Sequence, residues 1–75
     1  MNKERRKKIR DVLREIESLK DVIEKVRDEE MDSYDNLPDG FKCGEKGEEM
    51  EEHIDNLDEA IYSIINVEEH LEEVL

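Results

Sequence analysis

The chain has little of what usually staples, breaks or bends a fold: one cysteine, one proline, three glycines and no tryptophan among 75 residues. A single cysteine, Cys43, rules out an internal disulfide and fits a reducing, intracellular protein. No run approaches the roughly 18 consecutive apolar residues of a membrane span, and the charged amino terminus is not followed by the apolar stretch of a signal peptide. A cytoplasmic location with no membrane partner is therefore expected. Aromatic residues make up 4% and charged residues 48%, a composition shared by disordered segments and by helix-rich proteins. Periodicity decides between the two.

From Asn2 to about Asp35 the apolar residues fall at Ile9, Val12, Leu13, Ile16, Leu19, Val22, Ile23 and Val26, then at Met31 and Tyr34. Steps of three and four keep one helical face apolar. Met50, Ile54, Leu57, Ile61, Ile64, Ile65, Val67, Leu71 and Val74 repeat the pattern up to the carboxyl terminus. Between the runs, "LPDGFKCGEKG" gathers every glycine, the proline, the cysteine and the only phenylalanine. Pro38 removes a backbone donor and biases Leu37 away from helical geometry. "LPDG" predicts a type I turn with Pro38 second and Gly40 fourth, and Gly44 and Gly47 add freedom before the next helix. The expectation is one domain over residues 1–75, with a helix over 2–35, a turn over 36–46 and a helix over 47–75. A short connection makes the helices antiparallel neighbours. The fold class is all-α, an antiparallel hairpin of two long amphipathic helices.

Charge is divided along the chain. Residues 1–27 hold ten Lys and Arg against six acids, and residues 28–75 hold two against eighteen, for a net charge of −12. In a hairpin, "KERRKKIR" is expected to lie beside "VEEHLEEVL". Within the second helix, Glu48 and Glu52, Glu51 and Asp55, Asp55 and Glu59, Glu68 and Glu72, and Glu69 and Glu73 are like-charged pairs four residues apart, which disfavour an isolated helix. Below about 80 residues one core seldom yields more than about 3 to 5 kcal/mol, so self-association is expected to supplement it. Val12 beside Leu13, Val22 beside Ile23 and Ile64 beside Ile65 widen the apolar stripe beyond a two-stranded seam. The expected assembly is a homodimeric four-helix bundle. Its dimer and core residues are Ile9, Val12, Ile16, Leu19, Ile23 and Val26 against Ile54, Leu57, Ile61, Ile64, Val67 and Leu71.

Motifs for chemistry fail on inspection. "DNLPDG" sets Asp35, Asp39 and Gly40 at the first, fifth and sixth positions of a calcium loop, but Leu37 takes the third and Lys46 the twelfth, where a bidentate Glu is required. Cys43, His53 and His70 match no zinc spacing, and the histidines stand about five helical turns apart. Cys43 has no base and orienting group held beside it for nucleophilic catalysis. No enzyme activity, metal or cofactor is expected. Lys3, Arg5, Arg6, Lys7, Lys8 and Arg10 form a phosphate-type basic run, yet a net charge of −12 opposes nucleic-acid binding. The acidic surface of Glu48, Glu51, Glu52, Asp55, Asp58 and Glu59, extended by Asp28, Glu29, Glu30 and Asp32, reads either as a solubilising face or as a docking surface for a protein with a basic groove.

"YDNLPDGFKCGEKGEEMEEHIDNLDEAI", residues 34–61, resembles short uncharacterised proteins encoded by phages and prophages of Gram-positive bacteria. Those proteins show a "DNLPEG" turn, a "GE" or "RGE" start and an "IDNLEEAI" helix. Cys43 and Gly44 stand here where polar residues are commoner. The resemblance implies a small accessory protein of the host-cell cytoplasm that acts by binding, for example by inhibiting a bacterial defence complex, with acidic members imitating nucleic acid. The expected function is thus a non-enzymatic protein-binding inhibitor, with a purely structural assembly module as the alternative and, ranked below it, a nucleic-acid binder using the basic run Lys3–Arg10.

Overall fold

The computed structural model describes all residues from Met1 to Leu75 and contains only helices. In chain order they are α1 (Lys3–Asp35), α2 (Asp39–Lys42) and α3 (Glu45–Glu72). Asn2 starts α1, its extended backbone letting Oδ1 accept from the Arg5 backbone N–H at 2.8 Å. The 33 residues of α1 span about 50 Å. The helix closes at Asn36 (φ −86°, ψ −4°), with the Asn36 N–H donating to the Asp32 carbonyl and the Leu37 N–H to the Tyr34 carbonyl.

The connection differs from the expected type I turn. Pro38 has ψ 146°, whereas the second residue of that turn needs ψ of about −30°. Its carbonyl accepts from the Phe41 and Lys42 N–H groups at 2.9 and 3.1 Å, so the chain turns a corner at Pro38 and enters the short helix α2. The proline ends one helix and starts the next, because its missing N–H costs nothing at a helix start. No residue of the chain has positive φ, so the reversal needs no left-handed backbone.

Gly47 also differs from its expected role. It lies inside α3, which begins at Glu45 after Gly44, and it is buried. A Cβ there would run into the Lys42 carbonyl. Its smallness lets the end of α2 cross α3; flexibility before the helix is not what it supplies.

The long helices run antiparallel. Lys20 pairs with Glu68, Arg27 with Asp58, Glu30 with His53 and Tyr34 with Glu51, so the α1 number rises as the α3 number falls. Half-buried α1 positions follow a heptad rhythm through Ile9, Leu13, Ile16, Lys20, Ile23, Arg27, Glu30 and Tyr34. The matching α3 row is Gly47, Met50, Ile54, Leu57, Ile61, Ile64, Glu68 and Leu71. The seam thus contains Lys20, Arg27, Glu30 and Glu68 among its apolar residues, while Val12, Leu19, Val26 and Val67 of the expected dimer and core set are exposed outside it. Only Met50 and Ile61 are buried hydrophobics, 7% and 5% exposed. The result is a rod with Cα extents of 58 × 15 × 11 Å.

The register corrects one further expectation. Seven residues follow Glu68, but seventeen residues of α1 precede its partner Lys20. The basic run Lys3–Arg10 therefore projects beyond the end of α3 and does not lie beside "VEEHLEEVL". None of its cations forms an ion pair.

Candidate functional site

Glu48, Glu51, Glu52, Asp55, Asp58 and Glu59 recur at steps of three and four and so form one outward stripe on α3. All are exposed except Asp58, which is half-buried. Arg27 explains Asp58: its Nη1 donates to Oδ1 at 3.0 Å across the seam, while Nη2 holds Asp28 at 3.1 Å. These two carboxylates raise the Arg27 pKa above its ordinary value, Asp58 more than Asp28. Glu51 accepts a hydrogen bond from the Tyr34 hydroxyl, and this bond, ahead of partial desolvation, lifts the phenol above its ordinary 10.0. Glu48, Glu52, Asp55 and Glu59 have no ion pair.

Between the helices at this end lies an open depression of about 310 Å³. Met31, Tyr34 and Ile54 line it with apolar surface, and Asp35, Glu51 and Asp55 supply carboxylates. Of the expected acidic residues, Glu51 and Asp55 meet there; Glu48, Glu52, Asp58 and Glu59 lie elsewhere along the stripe. Met31, Tyr34 and Asp35 were not singled out as site residues from sequence. The signal was available for Tyr34: it stands seven residues after Arg27, and Arg27 seven after Lys20, one heptad row. An apolar depression ringed by carboxylates can take a lysine or arginine side chain, its methylene stem on Met31 and Ile54 and its charge among the acids. Nothing in it resembles a nucleophile with its base.

A second polar cluster sits nearer the other end. Lys20 Nζ lies 2.7 Å from Glu68 and 2.9 Å from Glu17, with the Lys20 and Glu68 side chains 14% and 13% exposed. Glu68 first and Glu17 second keep the Lys20 ammonium protonated beyond its ordinary range. Sharing the Lys20 ammonium with Glu68 holds the Glu17 carboxyl below its ordinary value. This cluster reads as a register clamp, since every charge in it has a partner.

No helix is long and apolar enough to cross a membrane, and no group of three or more His, Cys, Asp or Glu side chains is placed to hold a metal ion. Comparison with protein-family models, curated proteins and solved structures finds no match. The functional reading accordingly rests on the residues themselves.

Proposed function

We propose that the chain is a non-enzymatic protein-binding module that docks through its acidic turn end onto a basic surface of another protein. The observation that carries this reading is the Met31–Tyr34–Ile54 depression with Asp35, Glu51 and Asp55 around it, set in a stripe whose Glu48, Glu52, Asp55 and Glu59 have no ion-pair partner. Apolar floor and charged rim together suit a Lys- or Arg-bearing segment better than a freely solvated face requires. The resemblance of residues 34–61 to phage and prophage proteins directs the same reading toward an accessory inhibitor of a host defence protein in the host cytoplasm. With two buried apolar side chains, the hairpin also calls for pairing into a four-helix bundle.

Affinity capture from host cells with the wild type and with Glu51→Lys/Asp55→Lys tests the docking surface. A protein retained by the wild type and lost from the double variant, at unchanged helicity and mass, is the expected result. Equal capture by both overturns it. An assembly module without an inhibitory role is the second reading, favoured by the apolar residues left outside the seam. It predicts that the only partner recovered by either protein is the chain itself.

A further inference from the structure

Val12, Leu19, Val22 and Val26 are 41 to 62% exposed on α1, Val67 is 46% exposed on α3, and Val74, just past the end of α3, is 40% exposed. Their heptad positions place them together. Val12, Leu19 and Val26 repeat every seven residues directly beside the seam position occupied by Leu13, Lys20 and Arg27, and Val22 lies one helical step from both Leu19 and Val26. Val67 stands in the same way beside Glu68 on α3, and Val74 follows seven residues later in the turn just past its end. In an antiparallel pair with Lys20 opposite Glu68, these two rows border the same side of the seam. The depression at Met31, Glu51 and Asp55 lies on the other side. One flank of the rod is thus acidic and the other is mainly apolar, interrupted on α1 by Glu15 between Val12 and Leu19, with Asn56, Ala60 and Ser63 as uncharged neighbours along α3.

Charge along the apolar flank selects what covers it. At the open end it is continued by Arg5 and Lys8 of the overhang, and at the turn end by Glu29 and Glu49. Residues 28–59 as a whole hold fourteen acids and two lysines. The apolar α1 row is centred on Leu19, midway between Val12 and Val26. A two-fold axis at Leu19 sets Lys8 at the level of residue 30 of the other copy and Arg5 at the level of residue 33. Lys8 then meets Glu29 and Glu30 at both ends while Arg5 faces Ser33, an attraction that a parallel pairing, with overhang on overhang and acid on acid, denies. We propose that this flank binds a second copy of the chain, antiparallel about a two-fold axis at Leu19, so that the basic overhang of each copy lies beside Glu29 on the other, across the seam from the Glu51–Asp55 depression. Self-complementarity of one patch is what a closed two-fold dimer requires. The inference rests on the reading of the hairpin as self-associating and adds its face and its orientation; the acidic docking stripe stays free.

Light scattering and cysteine cross-linking in a Cys43→Ser background test the pairing. The expected mass is about 18 kDa, twice the 9.0 kDa of the chain. Lys8→Cys/Glu29→Cys is expected to form a cross-linked dimer on oxidation, because Lys8 and Glu29 of one copy are about 31 Å apart along α1 and cannot bridge internally. Lys8→Cys alone is expected to stay uncross-linked. Leu19→Glu, at a position already exposed in the hairpin, is expected to weaken self-association about tenfold or more with helicity retained. A mass of 9.0 kDa overturns pairing altogether. A dimer that cross-links through Lys8→Cys alone, or that is indifferent to Leu19→Glu, keeps self-association and overturns this face and orientation. Neither result touches the capture experiment on Glu51 and Asp55.

Discussion

Lys20 is a charged residue in a position that the heptad rhythm would give to a leucine. Removing one member of a partly buried pair strands the other, whereas replacing both by apolar residues removes the desolvation cost together with the attraction. Lys20→Leu is therefore expected to melt at a lower temperature than the wild type, and Lys20→Leu/Glu68→Leu at or above it, by circular dichroism. The double variant gives up the contact that discriminates this register from one slipped by a turn, so its nuclear magnetic resonance spectrum is expected to broaden or double. Tyr34 adds a pH dependence. Its folded pKa lies above the ordinary 10.0, so its hydrogen bond to Glu51 contributes stability that is fully present below pH 10 and is lost as pH rises through the folded value. Lys20, raised from 10.5, behaves in the same sense at still higher pH. Glu17, lowered from 4.5, stabilises above that pH and loses its contribution as pH falls through its folded value. In a Tyr62→Phe background, ultraviolet titration should find the remaining phenol ionising above 10.0, and Glu51→Gln should bring it down.

At the scale of elements, two of the three glycines, Gly40 in α2 and Gly47 in α3, give opposite predictions. Gly47→Ala drives a methyl into the Lys42 carbonyl and should cost about 1 to 3 kcal/mol in chemical denaturation. Gly40→Ala meets nothing within 4 Å and replaces a glycine inside α2, so it should be neutral or stabilising by up to about 1 kcal/mol. The two long helices were legible in the sequence because unbroken steps of three and four, bounded by Pro38 and Gly44, leave no other regular structure open. The split of the apolar residues between seam and outer flank was not. Counting apolar residues alone joined Leu19 to Ile16 and Ile23 and passed over Lys20 and Arg27, whose long stems fill seam positions as well as an aliphatic side chain does. The corner at Pro38 was hidden for a similar reason, since Pro followed by Asp and Gly suits a type I turn and a helix start alike. Of the acidic site, the carboxylates were readable but their apolar floor was not, because Met31 and Ile54 come together only through the hairpin. The repulsive pairs along α3 remain exposed in the fold, except that Glu68 of the Glu68–Glu72 pair is half-buried against Lys20. A peptide of residues 44–75 should consequently gain helicity as pH falls from 7 toward about 4.5, as carboxylates protonate.

For the molecule as a whole, the acidic and apolar flanks lie on opposite sides of one seam, so their functions should separate. Glu51→Lys/Asp55→Lys is expected to leave the light-scattering mass unchanged, while Leu19→Glu is expected to leave partner capture through the stripe intact in kind. The chain is also far from spherical. Its Cα radius of gyration is 17.3 Å, against about 11 Å for a compact chain of this length. Friction in solution follows length more than mass, so the single hairpin should emerge from a sizing column ahead of spherical standards of equal weight. Side-by-side pairing thickens such a rod far more than it lengthens it, and the elution volume should move little when the mass doubles. Sedimentation tells the two states apart better, because it weighs mass directly against drag: the paired rod should sediment markedly faster while its column position scarcely changes.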